Sequence, residues 1–368
     1  SGADVHVERE IGIIREIAHE NGLCFNMAVI SAEYDKNYLL NELKAGHMEP
    51  LAPAPPITEE EIMSSTHIVA QMGIEPIIDA LDHGAQVVLC GRCYDPAPFA
   101  APAIRLGYDR ALALHLGKIL ECAAICAVPG SGSDCIMGYL GADYFRIEPL
   151  DPGRACTPLS VSAHTLYEKT NPYLLPGPGG RLNLYDCTFT ADSPVCCRVR
   201  GTRYEPEAVP SVKLEGAKLV GYRTVSICGN RDPVFIAQVD SILADVKLRT
   251  AANLSADFEY TLDFIVYGRN AVMGDREPLR ETRTHEIGIV IDAVADTAEH
   301  AGAVCSVARS TLLHFGYPGR IATAGNLAFP FSPSDIEVGP VYVFSVYGLL
   351  RGGDPLKMFK RTYEKIGE

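Results

Sequence analysis

Apolar residues at Val7, Ile11, Ile14 and Ile17 recur at helical spacing, which predicts a helix over 5–19 closed by Asn21-Gly22. The run 24–30 is short and continuously apolar, as in a buried strand, and 34–45 is helical again up to Gly46. After a proline-rich link over 50–56, Thr58 and Glu61 mark the start of a helix over 59–64. A helical pattern over 75–83 then leads into the apolar run 86–90, which ends at Gly91-Arg92-Cys93-Tyr94-Asp95-Pro96. A long amphipathic segment, 110–127, stops at Pro129-Gly130-Ser131-Gly132-Ser133-Asp134-Cys135. Strands alternating with helices in this way predict a mostly parallel α/β sheet covered on both faces.

Beyond Cys135 the texture changes. A strand is expected over 144–148, a Thr157-capped helix over 158–169, a rigid turn over 172–180 and β-like structure over 181–204. From 211 the pattern reads strand 219–228, helix 233–251, strands 258–267 and 286–293, helix 297–315 and strand 341–347, the order of a ferredoxin-like split βαββαβ unit. One helix carries its apolar face on Ile236, Val239, Ile242, Leu243 and Val246, the other on Ala301, Val304, Ala308 and Leu312. The fold class expected is thus a mostly parallel α/β domain, 1–205, packed against a ferredoxin-like α+β domain, 206–350. A charged C-terminal tail, 351–368, is expected to fray unless Phe359 and Tyr363 dock.

The bulk composition narrows the classes. At 368 residues, 47% hydrophobic and 21% charged, the chain can form two domains with real cores. No apolar run reaches the roughly 18 residues of a membrane span, and no signal-peptide pattern opens the chain, so a cytoplasmic location is expected. A net charge of −14 without any Lys/Arg run opposes nucleic acid and anionic membranes as partners. The twelve cysteines sit mostly in apolar runs and are expected to be reduced and buried. Cys90 and Cys93 form a CxxC without a second pair, and Cys196-Cys197 cannot clamp one tetrahedral metal, so no metal site is expected and the cofactor stays open.

Ligands of open α/β sheets bind beyond the carboxyl ends of the strands, which places Arg92 and Asp95 first among the candidates. Arg92 could grip a carboxylate or phosphate through two parallel hydrogen bonds, with Asp95 orienting it or acting as a base; the alternative is a simple Arg92–Asp95 staple. His115, Lys118 and Glu121 lie at i, i+3 and i+6 on an otherwise apolar helix; Lys118 could be an acid, base or anion ligand, or part of a solvated charged face. The turn of Ser131, Gly132, Ser133 and Asp134 has the composition of an anion cradle, although it is neither a P-loop nor a GxSxG elbow. His164 and Glu168, at i and i+4, could form an acid–base pair or present two metal ligands on one helical face, although no third ligand lies in reach. Arg231 could reach an anion across a cleft between the domains, whereas Asp232 before Pro233 reads as an N-cap. Asn326 lies on a polar loop that would edge that cleft. Arg92, Lys118, His164 and the turn 131–135 are expected to line one pocket for an anionic group.

Five long phrases carry a resemblance: VAQMGIEPIIDALDHGAQVVLCGRCYDPAPFAA, HLGKILECAAICAVPGSGSDC, SVSAHTLYEKTNPYLLPGPGG, KLEGAKLVGYRTVSICGNRDP and ARSTLLHFGYPGRIATAGNLAFPFSPSDIEVGP. Together they resemble the acyclic terpene utilisation proteins of the AtuA type over nearly the whole chain. Members of that family begin with a further glycine-containing α/β segment, so a site needing it is expected to be incomplete in this chain or supplied by a separate one. The resemblance implies a role in carboxylic-acid or acyl-thioester catabolism, often with a small companion protein. The expected function is lyase- or hydratase-type acid–base chemistry on a small carboxylate or CoA thioester, in a homo-oligomer. No GxGxxG follows a strand, which argues against a dehydrogenase. The alternative is a non-catalytic metabolite-binding subunit of a multi-protein catabolic complex.

Overall fold

The computed structural model describes residues 5–166, 171–254, 257–279, 281, 284–321 and 325–367. It combines helices with mixed sheets and divides into two compact units, 1–217 with 344–368, and 218–343. The chain leaves the first unit after Ala217, beyond the boundary expected near 205. No helix among the described residues is long and apolar enough to cross a membrane.

In the first unit the strand Phe25–Ile30 pairs in parallel with Val87–Cys90, and Ala28 and Ile30 point into the main core. This is the one parallel strand pair among the described residues of the unit; the other ladders are antiparallel. The expectation of a mostly parallel sheet is therefore corrected. Buried parallel strands and buried antiparallel strands give the same short apolar runs, so the pattern could not separate them. The C-terminal residues do not fray. Arg361–Ile366 pairs antiparallel along the free edge of Phe25–Ile30, and Phe359 is fully buried in the core. Arg361, Glu364 and Lys365 interrupt the apolar residues of this edge strand, which hid it among the charges.

The turn expected over 172–180 is a hairpin of Leu174–Gly177 and Gly180–Asn183, extended by Arg203–Pro206. A second antiparallel sheet joins Ile136–Leu140, Phe145–Pro149, Cys197–Arg200 and Thr188–Ala191. Helix Arg110–Leu120 lies between two cores. Ala111, Ala113 and Leu114 enter the core around Ile30, while Leu112, Leu116 and Ile119 enter the one around Phe145 and Val199. A helix buried all round explains why its three polar residues are so conspicuous.

Within 218–343 the strand order is Tyr260–Tyr267, Ile287–Ala295, then the parts of Ser211–Asn230 and Asp335–Arg351 that lie in this unit. Tyr260–Tyr267 and Ile287–Ala295 pair antiparallel, and Ile287, Ile289, Ile291, Ala293 and Ala295 all face inward with period two. Helices Val239–Asn253 and Ala298–Leu313 bury the apolar faces read from the sequence. All twelve cysteines are free thiols, and Cys24 and Cys135 are exposed rather than buried.

Candidate active site

Arg92 follows its strand directly, but its guanidinium is already committed. Nε donates to Glu215 Oε2 at 2.7 Å, and a terminal nitrogen donates to Cys93 O at 3.0 Å and Asp95 Oδ1 at 3.2 Å. Lys213 closes the network on the other oxygen of Glu215 at 2.7 Å. Burial opposes ionisation of Glu215, but these two cations hold its carboxyl below the usual range. The staple is the arrangement present, and Asp95 is its exposed end.

The turn 131–135 spends its own amides. Ser131 N donates to Ala124 O at 3.2 Å, Ser133 N to Ser131 Oγ at 3.1 Å and Cys135 N to Asp134 Oδ1 at 2.8 Å. Arg154 sits 3.6 Å from Asp134 Oδ2. Gly132 has open space around it. The turn closes on itself and on Arg154, in place of an open cradle of amides.

Helix Arg110–Leu120 starts at Asp109, whose carboxylate caps Leu112 N. Gly117 lies against the Pro96 backbone: a Cβ there would stand 2.6 Å from Pro96 O. The close approach that this glycine permits is thus to protein, not ligand. His115 is completely buried between two threonines. Thr165 Oγ1 donates to Val161 O at 2.9 Å, so it accepts from His115 Nε2 at 3.0 Å. His115 Nδ1 then accepts from Thr202 Oγ1 at 2.7 Å, and the imidazole is the neutral Nε2–H tautomer. Burial pushes its pKa down to about 3.

Lys118, 3% exposed, forms an ion pair with Glu121, whose side chain is 11% exposed. His164, from the helix Pro158–Thr165, is lowered by burial first and then by the charge of Lys118. Tyr94, between Arg92 and Asp95, is raised well above the usual phenol by burial first and then by the charge of Glu121. The Lys118–Glu121 pair thus acts on two neighbours, Lys118 lowering His164 and Glu121 raising Tyr94. Glu168 lies outside the described residues.

Both histidines titrate lower in the folded than in the unfolded chain. Below the ordinary value of 6.5 the unfolded state binds more protons, so stability falls with falling pH. His115 alone should contribute a slope of about 1.4 kcal/mol per pH unit from about pH 6 down to about pH 3. Urea denaturation at pH 7.5 and 5 should show the loss, and His115→Gln should flatten it.

Tyr94 also lines a small cavity of about 10 Å³ with Leu114, Arg110, Gly177 and Tyr204. An adjoining pocket of about 220 Å³ shares Gly73, Arg110, Pro178 and Tyr204 and adds Glu75, Glu207, Ser211 and Phe359. The sequence PGPGG acquires a physical reason here. A Cβ on Gly177 would stand 2.9 Å from the Tyr94 ring, and one on Gly180 2.5 Å from the Tyr204 hydroxyl. The glycines let both tyrosines close onto the hairpin. Arg110 donates to Glu75 Oε1 at 2.8 Å, and its guanidinium lies 4.3 Å from the centre of the Tyr204 ring. Burial raises the Tyr204 pKa, and the Arg110 charge opposes it. The Arg110 side chain reaches the Tyr204 hydroxyl as a hydrogen-bond donor, and neither that hydroxyl nor Arg110 Nε has appreciable surface open to solvent. Glu75, Arg110 and Tyr204 thus meet as one polar cluster among the residues of this pocket.

A family model described as acyclic terpene utilisation family protein AtuA matches residues 3–130 and 147–331. The chain belongs to this family. The family name places the protein in a catabolic role, the use of acyclic terpenes. Gly73, Glu75, Tyr94, Arg110, the hairpin 177–180 and Tyr204 all fall within the matched stretches, whereas the turn 131–135 does not. No curated protein and no solved structure matches the chain. Sequence reasoning passed over Glu75, Arg110 and Tyr204 because each stands alone in its own segment. Tyr94 and the PGPGG hairpin were in view, but only tertiary packing brings them to Arg110.

Arg231 and Asn326 lie in the second unit, on a pocket of about 970 Å³. Asp232 is the helix N-cap expected, accepting from Val234 N at 2.9 Å. Tyr317 donates to Asp232 at 2.5 Å and accepts from Asn326 Nδ2 at 3.1 Å. Among the described residues no group of three or more His, Cys, Asp and Glu side chains could hold a metal ion.

Proposed function

We propose that the first unit carries a catalytic pocket for proton transfer beside the carbonyl of a small carboxylate or acyl thioester, chemistry of the lyase or hydratase type. The observation that supports this reading is the meeting of a phenol, Tyr204, a guanidinium, Arg110, and a carboxylate, Glu75, on one pocket of the first unit. Tyr204 stays protonated at neutral pH because burial raises it, so it can donate to a carbonyl oxygen. Negative charge that develops on that oxygen is then stabilised by a phenol and a guanidinium already in place. Glu75 supplies the proton acceptor. One of its oxygens is held by Arg110, and the other lies against Gly73, where a Cβ would stand 2.8 Å from it.

The buried Lys118–Glu121 pair and His164 act behind Tyr94 in this reading, fixing its protonation rather than touching substrate. The substrate class agrees with a family whose role is catabolic. The strand order of the second unit, with one helix inside each half, supports a ferredoxin-like reading of that unit as a separate module.

A panel of short and branched acyl-CoA thioesters tests the pocket by thermal shift. At least one thioester should raise the apparent Tm by several degrees when present well above its Kd. Arg110→Ala should abolish the shift. A panel without any stabilising thioester, or a shift that survives Arg110→Ala, would contradict the assignment.

A further inference from the structure

The small core around Phe145 and Val199 concentrates thiols that the proposed chemistry does not use. Cys126, Cys156 and Cys197 are buried in it, and Cys196, also buried, is close enough to feel Cys156. Cys122, half-buried, starts the short 3-10 helix Ala123–Cys126 and acts electrostatically on Cys126. The backbone brings two of these thiols together. Val128 N donates to Ala155 O at 2.8 Å, and Ala155 N to Val128 O at 3.1 Å, which makes an antiparallel bridge. Stepping back from Val128 to Cys126 and forward from Ala155 to Cys156 leads the same way from that bridge. The Cys126 and Cys156 side chains there share a hydrogen bond. The adjacent thiols turn to the backbone instead: Cys196 Sγ donates to Cys197 O at 4.0 Å and Cys197 Sγ to Arg198 O at 3.8 Å.

We propose that Cys126 and Cys156 are an oxidisable dithiol, which hydrogen peroxide closes to a disulfide. Cys156 is the attacking sulfur. The hydrogen bond from Cys126 holds its pKa below the usual thiol value, against burial and the charge of Glu148, whereas the same bond and then burial raise Cys126. Cys156 also directly precedes Thr157, the N-cap of the helix Pro158–Thr165, where the helix dipole favours a thiolate. Hydrogen peroxide is close to water in size, so a local opening of the core admits it. The Cys156 thiolate attacks one peroxide oxygen. The S–O bond forms, the O–O bond breaks, and the departing hydroxide leaves as water with the proton that Cys156 released. The Cys126 sulfur then attacks the sulfenic sulfur of Cys156. The S–S bond forms, the S–O bond breaks, and the oxygen leaves as a second water with the Cys126 proton. The two sulfurs together lose two electrons, and the peroxide takes them. The new bond ties the helix Ala123–Cys126 to the start of the helix that carries His164. Glu75, Arg110 and Tyr204 take no part in it.

The reduced full-length chain, treated with hydrogen peroxide at pH 7.5, is denatured in N-ethylmaleimide and mapped by peptide mass spectrometry without reductant. Fragment spectra separate Cys122, Cys126 and Cys135, which share one tryptic peptide. A Cys126–Cys156 crosslink should be the first disulfide to form, roughly tenfold faster than any other, and dithiothreitol should reverse it. Cys126→Ser should stop the crosslink and leave Cys156 as a sulfenic acid that dimedone labels. Cys156→Ser should leave Cys126 unlabelled. The wild-type map decides the matter even where a variant fails to fold. Absence of the Cys126–Cys156 crosslink under peroxide that oxidises the exposed Cys24 and Cys135, or Cys156 joined first to Cys122 or Cys197, would overturn the inference. Dimedone labelling of Cys126 in folded Cys156→Ser protein, with none of Cys156 in folded Cys126→Ser protein, would overturn it as well.

Discussion

Lys118→Ala is expected to destabilise the protein by about 3–5 kcal/mol, the cost of removing one partner from a buried ion pair. Both side chains of the pair are almost fully out of water, so solvent screens little of the interaction. The alanine removes the cation from a carboxylate that burial has already stripped of water. It also leaves a void on the helix face between two cores, next to Ile119. The double change Lys118→Met with Glu121→Leu removes both charges and keeps most of the volume. It should recover most of the lost stability, because matched apolar replacements of buried pairs are commonly neutral. Urea denaturation at pH 7.5 measures both. A single-variant loss under about 1 kcal/mol would mean that the pair is hydrated in solution.

The same pair shows what the sequence could and could not reveal. The interruption of an apolar helix by His115, Lys118 and Glu121 was visible, and it marked a real polar feature. Periodicity could not tell that the helix is buried on every side, so a solvated face and a buried network read alike. Arg92 illustrates a second limit. Its position after a strand was legible, but its partner Glu215 lies 123 residues away, and only the fold brings a carboxylate to it. The second unit was the most legible part. Its strands alternate with period two and its helices carry clean apolar faces, so local pattern and burial agree. The first unit's strands are short and apolar throughout, which gives their position but not their direction. The pocket of Glu75, Arg110 and Tyr204 was the least legible. Its residues come from a helix start, a second helix start and a strand, and none repeats or clusters in the chain.

In the proposed reaction Glu75 abstracts the proton, and Tyr204 and Arg110 receive the developing charge. Glu75→Gln keeps the shape and a hydrogen-bond acceptor toward Arg110 but cannot take a proton, so the rate should fall roughly 10²–10⁴-fold. Tyr204→Phe removes one donor to the developing oxyanion and should cost on the order of 10²–10³-fold. Both changes should alter binding far less, because the ground-state carbonyl carries little charge. The most direct measurement is solvent deuterium incorporation at the carbon next to the carbonyl, followed by mass spectrometry across short and branched acyl-CoA thioesters and free carboxylates in D2O. The wild-type protein should label at least one of them, and Glu75→Gln and Tyr204→Phe should suppress the labelling by the factors above while remaining folded. No labelling of any member of the panel by the wild type, or labelling that persists undiminished in both variants, would contradict the account.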